Sequence, residues 1–298
     1  MDISYELYKV FYHVAVRLSF SAAAEDLYIS QSAVSQSIRS LENKLGSRLF
    51  SRHTKQVLLT AEGEVLYRHV EQAVNFLRGG ERSIQEIHSL KQGELRIGAS
   101  DTICKYYLLP YLQQFNKTYP QIKIRITNRP SPICLDLLSK GLLDLAVVNL
   151  PPENREQGPQ PLQVRQLMAI EDIFVANHNF KILKDQIISL KELANYPLLM
   201  LEKPTVTRLC FDQVLKELSL DMKPEIELGS LDLLIEMAKI GLGIAMVTKE
   251  FVENELKAGS IFAIRLQETL PVRFLGIVNH SQIPVTLAAR RFIELLQS

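Results

Sequence analysis

Hydrogen-bonding side chains are concentrated at the start of a predicted helix near residue 31. Four aliphatic residues from Val34 to Leu45 recur at spacings of four, three and four, which predicts one buried helical stripe. Polar side chains at the start and on the outer face of such a helix could read base edges in a major groove. These candidate DNA-binding residues are Ser30, Gln31, Ser32, Ser35, Gln36 and Arg39. The solvated face of an ordinary surface helix is the alternative.

Positive charge is concentrated in the same part of a nearly neutral chain. The 298 residues carry a formal net charge of +1, whereas residues 31–60 hold five basic residues and one acidic residue, a local net charge of +4. This charge lies where the phosphates of a bound duplex would be. Arg52 and Lys55, at the polar tip of a β-hairpin expected over residues 49–59, are candidate phosphate or minor-groove contacts, with ordinary surface charge as the alternative.

The order of residues across this segment resembles the winged helix-turn-helix of the LysR-type transcriptional regulators. The matching residues are Phe20 to Ala24, Leu27, Ser30 to Ser35, Ile38, Leu41, Glu42, Leu45, Gly46, Leu49 to Arg52, Leu59, Thr60, Glu62 and Gly63. The resemblance extends more loosely over the remaining chain. It implies a sequence-specific DNA-binding regulator whose operator binding is modulated by a small-molecule effector.

A long helix is predicted over residues 61–89, with an apolar seam at alternating spacings of four and three. The seam residues are Leu66, Val70, Ala73, Leu77, Gly80, Ile84 and Ile87. A stripe on an extended helix needs a partner, and a second copy of the chain would provide one. We therefore expect a homodimer through this helix and leave pairing into tetramers open. A helix that lies on its own C-terminal domain is the alternative.

From Gly93 onward, strands alternate with helices in two similar runs, which predicts parallel α/β sheets. Two such lobes would resemble the periplasmic-binding-protein-like effector domain of the same family. The predicted fold is thus α+β and multidomain. Its domains are a winged helix-turn-helix (1–60), a linker helix (61–90) and an effector-binding domain (91–298). Within the last, lobe I covers about 91–164 and 268–298, and lobe II about 165–267.

Polar loops follow the predicted strands of both lobes. Ligands of open α/β sheets bind beyond the carboxyl ends of strands, and helix N-termini favour anions. The candidate effector-binding residues are Ser100, Thr102, Asn149, Thr205 and Ser230, several of them at positions where the resemblance also places effector contacts. We expect a small carboxylate, although Asp101 would oppose an anion. Each hydroxyl could instead be an ordinary N-cap.

Other classes of function find little support in the sequence. The histidines lack metal-site spacing, no Gly-rich phosphate loop is present, and no catalytic constellation is evident. The three cysteines are scattered, and the N-terminus has no signal-peptide core, so we expect a cytoplasmic protein with no metal, cofactor or membrane partner. RNA polymerase is a further expected partner. The alternative is a cytosolic α/β solute-binding protein or enzyme with an N-terminal helical oligomerisation module.

One position departs from the family pattern. Thr248 stands where the resemblance would place a proline after a Gly-Leu-Gly-Ile segment. This departure puts the shape of the local loop in question.

Overall fold

The computed structural model describes residues 3–51, 56–88, 93–152 and 162–297. The chain divides into two compact units, Met1–Glu81 and Arg82–Ser298. Arg52 and Lys55, and the end of the expected linker at residues 89–90, lie outside the described residues.

The described residues of the first unit form helices, the last of which continues beyond Glu81, and a two-stranded antiparallel hairpin in which Phe50 pairs with Leu59. Serine side chains cap the first three helices, accepting hydrogen bonds from first-turn amides. The elements are α1 (Tyr5–Arg17), α2 (Phe20–Leu27), α3 (Gln31–Leu45), β1 (Phe50–Ser51), β2 (Leu58–Leu59) and α4 (Ala61–His88). Their inner faces meet in one core that includes Phe11, Val34, Ile38 and Leu41.

The helix α3 forms where its apolar stripe predicts it. Val34, Ile38 and Leu41 are fully buried in the core of the first unit, whereas the opposite face is exposed. The helix ends at Gly46, whose φ of +67° is a left-handed conformation that glycine adopts without steric cost.

The beginning of α4 corrects part of the predicted seam. Val70 is only 7 % exposed and packs, with Val74 and Leu66, into the core of the first unit. The prediction that Val70 faces a partner was therefore wrong, because the helix must cover the small three-helix unit first. Leu77 and Ile84 remain exposed, at 50 % and 60 %.

The second unit contains the remaining elements. In chain order they are β3 (Gly93–Ala99), α5 (Asp101–Ile103), a π-helical turn (Cys104–Leu108), α6 (Leu109–Thr118), β4 (Ile122–Asn128), α7 (Ser131–Ser139), β5 (Leu145–Leu150), β6 (Leu162–Ile170), β7 (Asp172–Ala176), a 3-10 segment (His178–Leu183), β8 (Ile187–Ile188), α8 (Leu190–Leu193), β9 (Leu198–Leu201), α9 (Val206–Glu217), β10 (Ile226–Leu228), α10 (Leu231–Lys239), β11 (Ile244–Thr248), a 3-10 turn (Lys249–Phe251), α11 (Glu253–Ala258), β12 (Phe262–Leu266), β13 (Arg273–His280) and α12 (Leu287–Leu296).

These strands form two sheets, one for each lobe. The first has the order β4-β3-β5-β13-β6 and the second β10-β9-β11-β7-β12-β8. Both are mixed rather than purely parallel, because β13 runs antiparallel to β5 and β6, and β7 runs antiparallel to β11 and β12. The chain crosses between the sheets twice, from β6 into β7 and from β12 back into β13.

Among the helices of the described residues, none is long and apolar enough to span a bilayer.

Candidate functional sites

The outer face of α3 presents the polar surface that the sequence predicts. Gln31, Ser32, Gln36 and Arg39 are exposed, and Ser35 is half-buried. Ser30 lies at the N-cap, where its Oγ accepts a hydrogen bond from the Ala33 amide at 3.2 Å and contacts the Ser32 hydroxyl at 2.9 Å. The structure thus brings the six α3 candidates onto one helix face and its N-terminus.

A carboxylate ties α3 to the hairpin that follows it. Glu42 Oε1 accepts a hydrogen bond from the Leu49 amide at 2.8 Å and a longer one from the Phe50 amide at 3.4 Å. Because Leu49 and Phe50 are buried where the chain enters β1, this link sets the hairpin against the end of α3. Glu42 is one of the residues that carry the family resemblance.

The start of α4 holds the same loop from the other side. Thr60 Oγ1 donates to the Arg48 carbonyl at 2.7 Å and accepts from the Gly63 amide at 3.0 Å, and the Thr60 amide donates to the Leu49 carbonyl at 3.0 Å. A Cβ on Gly63 would lie 2.1 Å from the Leu49 carbonyl oxygen, so this approach requires a residue without a side chain.

Two guanidinium groups flank a surface concavity at the end of α3. Arg39 and Arg48 both line this concavity and are exposed, and among the described residues neither has an ion-pair partner. Arg48 was not among the sequence-predicted site residues, although it contributes to the local charge of the segment. Its position adds a cation beside the polar face of α3.

An ion pair fixes α2 against α1. Arg17 donates two hydrogen bonds to the Asp26 carboxylate, each 2.7 Å long, and His13 lies 3.5 Å from the same carboxylate. The hydrogen bonds from Arg17 lower the pKa of Asp26 to about 2. The carboxylate therefore stays ionised at neutral pH and keeps its pair with Arg17.

A second candidate site is a cleft of about 400 Å³ between the two lobes. Four of the five predicted effector residues line it: Ser100, Thr102, Asn149 and Thr205. Ser230 does not, although its neighbours Gly229 and Leu231 do; its Oγ instead accepts from the Leu233 amide at 3.4 Å as the N-cap of α10. A role for Ser230 in the effector site stays a prediction.

The hydroxyl groups of the cleft differ in whether they have a hydrogen left to donate to a ligand. Ser100 Oγ accepts from the Ile103 amide at 3.3 Å, and the buried Ser131 Oγ accepts from the Asn149 amide at 3.0 Å, so both hydroxyl hydrogens remain free to donate. Thr205 Oγ1 already donates to the Glu202 carbonyl at 2.8 Å. Ser131 was not among the sequence-predicted site residues, although it begins α7 shortly after the end of β4, where the rule of strand ends also applies.

A buried ion pair adjoins the cleft where the chain crosses between the lobes. Arg273 is 0 % exposed and donates from Nε and Nη2 to both oxygens of Asp172, each at 2.5 Å. Its Nη1 donates to Asn149 Oδ1 at 3.3 Å, and Nη2 lies 3.4 Å from Thr248 Oγ1. Thr248, the departure from the family pattern, donates to Asp172 Oδ1 at 3.2 Å and so joins this network.

This network determines which group Asn149 offers to the cleft. A guanidinium group only donates hydrogen bonds, so the amide oxygen of Asn149 must face Arg273 and its NH₂ group is left as a donor. The charges near the opening are mixed: Arg129 lines the cleft together with Asp101 and Glu202, and all three are exposed. Asp101 Oδ1 accepts from the Thr102 amide at 2.9 Å, which turns that carboxylate toward its own backbone.

Side chains also bridge the two lobes at one end of the cleft. Asp232 accepts hydrogen bonds from the Tyr106 hydroxyl at 2.6 Å and from Lys105 Nζ at 2.8 Å, and the Tyr106 ring stacks on Phe251 with centroids 5.1 Å apart. Burial, together with the hydrogen bond to Asp232, raises the pKa of Tyr106 to about 12, so its hydroxyl remains a donor at neutral pH.

The described residues hold no cluster of potential metal ligands. Burial raises the pKa of the Cys104 and Cys134 thiols to about 11, which keeps them protonated and weakly nucleophilic at neutral pH.

A helix-turn-helix unit followed by a two-lobed unit with a polar cleft defines a DNA-binding regulator that carries its own ligand-sensing domain. Residues 5–64 match the bacterial regulatory helix-turn-helix protein, lysR family, and residues 88–298 match the LysR substrate binding domain. The chain belongs to the LysR family of transcriptional regulators. Its predicted function as an effector-modulated transcriptional regulator is confirmed, and the alternative of a solute-binding protein or enzyme is not supported.

Named relatives and a solved structure agree with this assignment. The chain is 29% identical over 272 residues to a probable RuBisCO transcriptional regulator of Guillardia theta, covering 90% of this chain and 86% of that protein. It is 26% identical over 289 residues to the HTH-type transcriptional activator CmpR of Synechocystis sp., covering 97% and 93%. A full-length OxyR from Pseudomonas aeruginosa shares its fold, with a TM-score of 0.68 at 23% identity over 100% of this chain and 94% of that chain.

Proposed function

We propose that this chain binds its operator through the N-terminal part of α3 and that a small carboxylate held between the lobes changes that binding. The exposed polar face that begins at Ser30 carries the first half of this proposal. Gln31, Ser32 and Ser35 would contact base edges, because they lie at the end of the helix that enters a major groove. Phosphate contacts would come from Arg39, Arg48, Arg52 and Lys55, and Ser30 and Gln36 would border the contact surface.

Substitution of Gln31 tests the base-reading role. Gln31→Ala is expected to lose roughly 1–3 kcal/mol of binding free energy at the operator and to leave nonspecific binding nearly unchanged, because a base-edge contact is lost. Arg39→Ala is the control: it should weaken binding to all duplexes and reduce the log–log salt slope by about one. Anisotropy titrations over a salt series measure both effects. Operator binding by Gln31→Ala at wild-type strength throughout that series would refute the role of α3.

The hydrogen-bond donors of the cleft support a carboxylate as the effector. Ser100 and Ser131 retain hydroxyl hydrogens, and Arg273 leaves the Asn149 amide group facing outward as a third donor. Arg129 adds a positive charge at the same cleft. Three neutral donors and a cation are groups that bind an oxyanion, and of the two carboxylates at the opening, Asp101 is turned toward the Thr102 amide, whereas Glu202 opposes an anion.

A double substitution tests the effector class. Ser100→Ala with Ser131→Ala should weaken binding of an organic acid at least about tenfold, because two hydrogen bonds to a charged group are lost. The control is Ser230→Ala, which also removes an N-cap but lies outside the cleft lining and should bind like wild type. Calorimetry against a panel of organic acids provides the measurement. An effector that is cationic or wholly apolar, or an acid that binds the double variant unchanged, would exclude this site.

We also propose that α4 joins two copies of the chain. Ala73, Leu77 and Ile84 are exposed and lie within about 40° of one another around the helix axis, an apolar stripe on the same side of α4 as the buried Val70 but farther along the helix. Two-fold pairing through this stripe would require an operator with two related half-sites. Dimers pairing into tetramers and contact with RNA polymerase remain predictions from the family resemblance.

Charges placed on this stripe should dissociate the dimer. Leu77→Glu with Ile84→Glu would bury unpaired carboxylates at the interface, so a monomer with weakened operator binding is expected. Val65→Glu is the matched control, because Val65 is 51 % exposed but lies about 120° around the helix from Leu77. Sedimentation velocity distinguishes the outcomes. A double variant that stays dimeric would assign the stripe another role.

A further inference from the structure

Tyr28, in the turn between α2 and α3, combines almost complete exposure with an unfavourable backbone conformation. Its side chain is 96 % exposed, and among the described residues its hydroxyl has no hydrogen-bond partner. Its φ of 55° places it in the left-handed region, which asparagine and glycine tolerate better than a bulky aromatic residue. The fold therefore gains little from a tyrosine here and carries a strain that another residue would relieve.

The backbone around Tyr28 is held by hydrogen bonds, so the Cα–Cβ bond of the residue has a defined direction. The Tyr28 amide donates to the Ala24 and Glu25 carbonyls, which close the end of α2, and the Ile29 amide donates to the Ala24 carbonyl at 3.1 Å. Ser30 then caps α3 two residues later. Tyr28 and Gln31 are three positions apart, a span of at most about 10 Å between their Cα atoms, so Tyr28 borders the proposed base-reading surface.

We propose that Tyr28 is a further DNA-contacting residue that binds the sugar-phosphate backbone beside the base-reading end of α3. Its hydroxyl donates to a phosphate oxygen, and its ring packs against deoxyribose. Tyrosine is suited to this contact because it joins an apolar ring to a hydroxyl donor, and phosphate and sugar contacts set the register of a protein on a duplex. This inference rests on the proposed DNA-binding role of α3.

Relief of backbone strain at Tyr28 should raise the melting temperature, whereas loss of a DNA contact should lower the affinity for a duplex. The two effects can therefore be measured separately in the full-length protein. Tyr28→Asn should raise the melting temperature, because asparagine suits the left-handed conformation, and should weaken binding to a fluorescein-labelled 40-bp duplex of mixed sequence about five- to tenfold. Tyr28→Phe, which keeps the ring and the strain, should leave the melting temperature unchanged and show about half of that loss in free energy of binding.

Leu18 provides a matched control for strain relief. It also ends a helix in the left-handed region, with φ of 47°, and is 45 % exposed, but it lies at the opposite end of α2, about 12 Å along the helix. Leu18→Asn should raise the melting temperature and leave duplex binding unchanged. Anisotropy titration, thermal unfolding and sedimentation of all variants complete the experiment.

The outcomes separate this inference from the proposed function. Wild-type duplex binding by Tyr28→Asn, a lower melting temperature for that variant, or its dissociation into monomers would overturn the role of Tyr28 alone. If wild-type protein fails to bind the duplex, or if Arg39→Ala binds it as well as wild type, the proposed role of α3 fails and the role of Tyr28 fails with it.

Discussion

Arg273→Ala is expected to lower the unfolding free energy of the Arg82–Ser298 unit by about 3–5 kcal/mol. The reason is that the substitution leaves the Asp172 carboxylate buried without its main partner, and an unpaired buried charge is strongly destabilising. Asn149 would also lose the donor that orients its amide. Urea unfolding followed by circular dichroism measures the loss.

The matched control replaces both members of the pair. Asp172→Leu with Arg273→Met removes both charges while keeping apolar volume, so its unfolding free energy should lie much closer to wild type than that of Arg273→Ala. Effector binding should nevertheless be weaker in the double variant, because Asn149 is no longer oriented. A single variant as stable as wild type would show that the ion pair is not buried in solution.

Gly63→Ala is expected to destabilise the first unit by about 1–3 kcal/mol and to weaken DNA binding. The added methyl group would meet the Leu49 carbonyl oxygen at 2.1 Å, so either α4 or the loop before β1 must move. Because that loop leads into the hairpin, its movement would displace the basic tip expected to contact DNA.

Gly80→Ala distinguishes this clash from a general effect of glycine in a helix. Gly80 lies in the same helix, but a Cβ there meets nothing within 4 Å, so alanine should raise helix stability by about 0.5–1 kcal/mol. Thermal unfolding of the two variants side by side gives the comparison. A stabilising Gly63→Ala would contradict the close approach of α4 to the loop.

The sequence predicted those elements whose residues carry a local signal. The helix α3 was predicted from its apolar stripe, and most strands of the second unit from their alternation with helices. The strands β6 and β12 were not predicted. Their exposed and buried residues follow no strict alternation, and their pairing with β13 and β7 joins residues distant along the chain.

Apolar periodicity alone could not show where the seam of α4 changes from buried to exposed. Leu66, Val70, Leu77 and Ile84 lie within about 40° of one another around the helix axis, so a single seam fits all four. Leu66 and Val70 pack against the core of the first unit, whereas Leu77 and Ile84, farther along the helix, are exposed. The difference depends on how far the core of the first unit extends along α4, which the sequence pattern does not indicate.

Long-range pairing limited the prediction of the cleft. Ser100 and Thr205 were identified because each precedes a helix at a strand end. Arg273 was not, because its partner Asp172 lies 101 positions away and neither residue has a local signature. Burial of the pair follows from the two chain crossings between the lobes. It could not be read from either residue alone.

Binding of the full-length protein to its own upstream DNA tests the central claim most directly. Labelled fragments of that region would be titrated with protein at a fixed salt concentration, with and without a panel of organic acids, against a mixed-sequence duplex. We predict that one fragment with two related half-sites binds at least about 10³-fold more tightly than the mixed duplex, and that one acid shifts this affinity about 5- to 150-fold. Equal binding to every fragment, unchanged by every acid, would contradict the account.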